Sequence, residues 1–155
     1  MPRPSDDSRV ARVDALARDL RGLVGRLKRR LREQSGVGDL SPSQTAVLLR
    51  LEKEGPGTTS RLARAEGMRP QSMGALVAAL EGEGLITSAP DPNDGRQAIL
   101  SLTDLCRARL AEGRAARQDW LCRVIEARLS PAEQDQLAAA VGLLGRLVDD
   151  RPQGE

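Results

Sequence analysis

Apolar residues recur along this chain at helical spacing in its outer thirds and change character in the middle. From Val10 the series Val10, Val13, Leu16, Ala17, Leu20, Leu23, Val24, Leu27 and Leu31 keeps a three-to-four spacing. That pattern predicts one long amphipathic helix over 10–35, ended by Gly36-Val37-Gly38. The polar residues 1–9 before it are expected to be disordered. Ser41-Pro42-Ser43-Gln44 opens a second helix, with Ser41 as N-cap, Pro42 in the first helical position and Gln44 placed to complete a capping box. Val47, Leu48 and Leu51 share one face of it until Gly55-Pro56-Gly57 breaks the pattern after Glu54. Far downstream, Thr103 caps a long helix to about Leu129, with Cys106, Leu110, Gly113, Trp120 and Val124 on one side. Ser130-Pro131-Ala132-Glu133 repeats the capping chemistry. It opens a last helix whose apolar face is Leu137, Ala140, Val141, Leu144, Leu147 and Val148, and 149–155 is a polar tail.

Between these helices, residues 58–103 carry a different rhythm. A short helix pattern over 59–66 ends at Gly67, and another opens at Pro70. Met73, Leu76, Val77 and Leu80 then recur at i, i+3, i+4 and i+7, so one face of this helix is buried. Gly82 and Gly84 end it. Two strand-like runs follow, 85–89 and 97–102, joined by a loop rich in Pro, Asp, Asn and Gly. Two helices at a tight turn followed by a β-hairpin predict a winged helix-turn-helix, a layout that reads a DNA groove with its second helix.

The same residues resemble the MarR family of bacterial transcriptional regulators. Asp94-Gly95-Arg96 followed by Leu100-Ser101-Leu102-Thr103 is similar to the family's wing signature. Leu40-Ser41-Pro42-Ser43-Gln44 and Leu80-Glu81-Gly82-Glu83-Gly84-Leu85-Ile86 resemble further family landmarks, and the likeness extends over most of 10–148. It implies a mainly α fold: one domain with a winged helix-turn-helix at 41–103 and dimerisation helices at 10–35 and 104–148. It also implies that Arg96 enters a DNA minor groove while Asp94 orients its guanidinium. Small-molecule pockets would lie between the dimer helices and the wing domain. The terminal helices carry more apolar face than a small wing domain can cover, which independently points to an oligomer.

Composition narrows the function. With 155 residues, the chain makes one domain with helical extensions. His, Tyr and Phe are absent and Trp120 is the single aromatic residue. The commonest general base and metal ligand is therefore missing, no cofactor site is expected, and the residues support no enzyme. No apolar run approaches the ~18 residues of a membrane span, and the first residues lack a signal peptide's apolar stretch, so a cytoplasmic protein is expected. Net charge is distributed unevenly. Residues 1–40 hold ten Arg/Lys against six Asp/Glu, whereas 41–103 hold six against seven. The segment expected to read DNA is thus not basic overall, and local placement has to carry the electrostatics.

The candidate DNA contacts follow from that placement. Gln71, Ala75, Ala78 and Gly82 lie opposite the apolar stripe of the second motif helix, with Ser72 and Gly74 flanking. Gln71 can pair with an adenine edge, Ser72 with a base or phosphate, and Ala75 can touch a thymine methyl. Pro70 in the first turn leaves backbone amides suited to a phosphate, and Arg69 just before it can reach a phosphate or guanine. Thr58, Thr59, Ser60 and Arg61, at the start of the first motif helix, are candidate backbone contacts. Arg96 is the strongest candidate, because an arginine at a hairpin tip suits a narrow minor groove. Asn93-Asp94-Gly95 is also turn chemistry in its own right. The Arg26–Arg32 cluster is either a phosphate contact or a solvated helix face.

Three further features remain. Cys106 and Cys122 sit about 24 Å apart along one helix and cannot pair with each other. Family members that sense peroxide use a cysteine in the first helix, where this chain has none. Arg117 lies at the centre of its helix's apolar face and requires either an acidic partner or an anionic ligand. The reading that results is a homodimer binding a pseudo-palindromic operator in double-stranded DNA, a repressor released by a small anionic or aromatic effector. Two rivals are a winged-helix interaction module without DNA binding and a thiol-based redox sensor.

Overall fold

The computed structural model describes residues 6–34 and 40–149. The first helix, α1 (Asp6–Gln34), begins four residues before Val10, so residues 6–9 are its first turn rather than part of a disordered segment. Residues 1–5, the Gly36-Val37-Gly38 helix stop and tail residues 150–155 lie outside the described residues. Then come α2 (Pro42–Glu54), β1 (Gly57–Thr58), α3 (Thr59–Ala65), α4 (Pro70–Gly82), β2 (Ile86–Pro90), β3 (Ala98–Leu102), α5 (Asp104–Arg128) and α6 (Pro131–Val148).

The caps set most of these boundaries. Ser41 and Gln44 close a reciprocal capping box at the start of α2, as Ser130 and Glu133 do at the start of α6. Both motif helices end in the same way. Gly67 (φ 63°) and Gly84 (φ 70°) take the left-handed conformation. The following residues then donate back across the last turn, Met68 N–H to the Ala63 carbonyl (2.8 Å) and Leu85 N–H to the Leu80 carbonyl (2.9 Å). That is a Schellman closure, for which glycine is the low-cost residue. It also explains why β2 starts at Ile86, one residue after the expected 85: the Leu85 amide is still engaged with the helix.

β1 is a strand that the sequence pattern does not predict. Gly57-Thr58 reads as a helix breaker, yet it pairs antiparallel with β3, Gly57 opposite Leu100 and Thr58 opposite Ile99. β3 is therefore central, flanked by β1 and by β2, whose register runs from Ile86 opposite Leu102 to Pro90 opposite Ala98. Pro90, which lacks a ladder donor, sits at the open end of an edge strand.

The core lies under the helix-turn-helix. Val47, Leu48 and Leu51 of α2 meet Leu62 and Ala63 of α3, Met73, Val77 and Leu80 of α4, the sheet residues Ile86, Leu100 and Leu102, and Cys106 and Leu110 of α5. Only the first turns of α5 reach it: Cys106, Leu110 and Gly113 are buried, while Trp120 and Val124 farther along are half-buried. Thr103 joins α5 to the wing. Its hydroxyl donates to the Gly84 carbonyl (2.7 Å) and accepts from the Cys106 amide (3.1 Å). α1 packs along α5, but neither it nor α6 contributes a buried residue. Val13, Leu16, Val141, Leu144 and Leu147 stay exposed in the single chain.

Candidate nucleic-acid interface

The helix α4 turns Met73, Val77 and Leu80 inward, and so presents its other side to solvent. Gln71, Ser72, Ala75, Ala78, Ala79 and Gly82 are all exposed there, and Arg69 and Pro70 are exposed at its start. Gly74 is half-buried at the margin, yet a Cβ placed on it would meet nothing within 4 Å. Its φ is not positive, so neither the backbone nor the packing requires glycine there. Arg69 occupies the N-cap without a side-chain cap bond. Because Pro70 has no N–H, the amides of Gln71 and Ser72 are the leading donors of this helix end, directed where the helix dipole favours an anion. One acidic residue, Glu81, and no basic one lies within α4. The chemistry of this surface is therefore small side chains, an amide, a hydroxyl and backbone donors.

The start of α3 is arranged differently from the expectation. Thr58 spends its hydroxyl oxygen as the N-cap acceptor for the Arg61 amide (3.2 Å), and Thr59 is half-buried, leaving Ser60 and Arg61 exposed. The Arg61 guanidinium is not free: Nη2 donates to Glu54 Oε2 at 3.0 Å. The other oxygen of Glu54 accepts from Arg50 Nη1 (2.6 Å), and Arg50 Nε donates in turn to Glu66, the C-cap residue of α3. A chain of four charges thus ties the end of α2 to both ends of α3. Hydrogen bonding to Glu66 raises the pKa of Arg50 against the opposing effect of burial. Sequence reading can pair Arg50 with Glu54 from their helical spacing. It has no means of finding Glu66, which is distant in the chain and brought close by the helix-turn-helix.

At the wing, the carboxylate of Asp94 does not orient the guanidinium of Arg96, which corrects the expectation from resemblance. Asp94 Oδ1 accepts from the Arg96 main-chain amide (3.1 Å), and Oδ2 from the Gln97 side chain (3.1 Å). The Asp94 carbonyl takes the Gln97 amide and the Asp91 amide reaches the Gln97 carbonyl, both at 2.9 Å. Asp94 therefore builds the turn that holds Arg96 at the tip, and the Arg96 side chain is exposed with no salt bridge among the described residues.

Away from this face, Arg117 is half-buried rather than enclosed, and no carboxylate among the described residues pairs with it. It lines a cleft of about 430 Å³ between α1, α2 and α5, together with Lys28, Arg32, Leu49 and Leu110. Arg114, one turn earlier, bridges α5 to Glu52 of α2 with both carboxylate oxygens, at 3.0 and 2.9 Å. Cys106 is buried, and burial chiefly, with the nearby Glu52 charge, pushes its thiol pKa up. Cys122 is exposed. Among the described residues no group of His, Cys, Asp or Glu could hold a metal ion, and no helix is long and apolar enough to cross a membrane.

A three-helix motif closed by a small antiparallel wing, with an exposed second helix and an arginine at the wing tip, defines a winged helix-turn-helix DNA-binding protein. The MarR family profile matches residues 40–98. An HTH-type transcriptional regulator of Mycobacterium tuberculosis is 39% identical over 137 residues, covering 88% of this chain and 95% of its own length. A counterpart in Mycobacterium leprae is 36% identical over the same share of both chains. Among solved structures, a putative transcriptional regulator of Pseudomonas aeruginosa superposes with a TM-score of 0.73 at 39% identity, over 86% of this chain and 94% of that one. The fold is also that of a Staphylococcus aureus MepR mutant bound to an oligodeoxyribonucleotide, with a TM-score of 0.70 at 18% identity, covering 86% of this chain and 98% of that one. The chain belongs to the MarR family. It is a DNA-binding transcriptional regulator and not an enzyme.

Proposed function

We propose that the protein is a homodimeric repressor that binds a pseudo-palindromic operator, with two α4 helices in successive major grooves and two Arg96 side chains in the flanking minor grooves. The observation that carries this reading is the outer face of α4: small exposed residues around Gln71, with the uncapped Gln71 and Ser72 amides at its start. Such a face is left exposed by the described residues and admits close approach to base edges. Dimerisation is supported by the uncovered apolar faces of α1 and α6, which form an apolar groove around Leu16, Leu143, Leu144 and Leu147. A second copy would cover it with the same surface.

Release by an effector is supported by the cleft between α1, α2 and α5. Lys28, Arg32 and Arg117 bring three cationic side chains to a cavity otherwise lined by leucine, alanine, proline and Thr45. That combination suits a small anion with an apolar or aromatic body. A ligand wedged there would change the spacing of α2 and α5, and with it the separation of the two recognition helices.

Salt-titrated fluorescence anisotropy against the DNA upstream of the protein's own gene tests the reading. The expected result is binding tighter than to random duplex, weakening steeply with salt and reduced by Arg96→Ala. A folded dimer that binds this DNA no better than random sequence would refute operator recognition.

A further inference from the structure

Four arginines lie between Gly57 and Thr103: Arg61, Arg64, Arg69 and Arg96. Arg61 alone among them is tied to a carboxylate within the described residues. Its partner is not a chance neighbour. Glu54 is only one-third exposed: one oxygen is held by Arg50, itself anchored by Glu66, and the other by Arg61. The Arg61 side chain is the more exposed end of this array, 54% exposed near the start of α3 beside Ser60. A phosphate approaching the start of α3 therefore meets an arginine whose charge is already answered by a carboxylate that Arg50 also holds.

We propose that Glu54 competes with DNA phosphate for Arg61, and that this competition holds down affinity for DNA, most of all for the operator. The inference rests on the reading of Arg61 as a phosphate contact. In a loose, non-specific complex the phosphate stays at a distance and cannot displace Glu54, so Arg61 contributes little. In the operator complex, docking of α4 brings the phosphate into hydrogen-bond range, where Arg61 exchanges one anionic partner for the other. Removing the Glu54 charge spares the operator complex the full cost of breaking the ion pair, whereas the non-specific complex gains only the weaker pull of a distant phosphate on Arg61, so the gain falls mostly on the operator.

Glu54→Gln is the test, because the amide oxygen still accepts from Arg50. The full-length variant is titrated by anisotropy against the upstream DNA and against a random duplex of equal length. The expected result is affinity for the upstream DNA raised about threefold to fivefold, the scale of one exposed ion pair, with a smaller rise for the random duplex. The ratio of operator to random binding should rise. In an Arg61→Gln background the same change should have no effect. Unchanged or weakened binding of the upstream DNA by a folded Glu54→Gln protein overturns the proposal. So does an equal gain in the Arg61→Gln background, which would mark a general charge effect. Should Glu54→Gln fail to fold, Glu54→Asp keeps the charge but withdraws it from Arg61, and is expected to move binding in the same direction by less. Arg61→Gln leaving wild-type affinity unchanged would instead overturn the phosphate reading of Arg61, and the inference with it.

Discussion

Arg96 and Gly74 are informative for opposite reasons. Arg96 has a side chain that forms no salt bridge among the described residues, while Asp94 and Gln97 make four hydrogen bonds that hold the turn around it. Arg96→Ala is therefore expected to leave the thermal midpoint unchanged and to weaken operator binding by about 1–3 kcal/mol, as read from anisotropy. An Arg96→Ala protein that binds like wild type would remove the wing from the interface. Gly74 lies inside a helix where a methyl group has room. Gly74→Ala should stabilise the fold by about 0.5–1 kcal/mol in denaturant unfolding. If the small residue serves close approach to DNA, the same variant should bind the operator less tightly. Greater stability with undiminished binding would leave Gly74 without a DNA role. Cys106 is poorly placed for the thiol-sensor rival, which would have to rest on the exposed Cys122. The Cys106 thiol is enclosed and its pKa is raised, which disfavours the thiolate that oxidants attack.

At the scale of elements, the caps predict measurable behaviour. Glu133 closes the capping box of α6, and hydrogen bonds from the Ser130 amide and hydroxyl lower its pKa. A carboxylate whose folded pKa is depressed lends stability that is fully present above its unfolded value. That stability is lost as pH falls through the lower folded value. Helicity followed by circular dichroism should therefore hold down to about pH 4.5 and then decline, with a contribution that Glu133→Gln removes. A Glu133→Gln protein with the wild-type acid profile would show that ionisation of Glu133 does not stabilise α6. Elements were largely legible in the sequence where caps and periodicity agree: Pro42–Glu54 and Pro70–Gly82 have the bounds their capping and glycine signals indicate. β1 was not, because two residues carry no period and Gly57 reads as a breaker until β3 lies beside it.

For the whole molecule, the uncovered faces of α1 and α6 govern the assembly. Leu144→Glu with Leu147→Glu places charge in the apolar groove. In the proposed dimer this should yield monomers by sedimentation and lower operator affinity at least tenfold, since two half-sites must be held together. The wild-type midpoint should rise with protein concentration, as expected when folding and association are linked. A double variant that remains dimeric would place the interface elsewhere.

The amino-acid order by itself determined the helices, their caps, the hairpin and the inward faces, since these depend on neighbours three or four residues away. It also exposed the motif that places the chain in the MarR family. Only the tertiary structure decided what the exposed charges do. Arg61 and Arg96 are both arginines at the edge of the same motif, but one is answered by Glu54 and the other is left open to solvent. Asp94 likewise turned from a partner of the guanidinium into a brace for the turn. The physical reason is range: a helix is specified within one or two turns of chain. A charge is specified by whatever the fold brings within a few ångströms, as the sixteen-residue step from Arg50 to Glu66 shows.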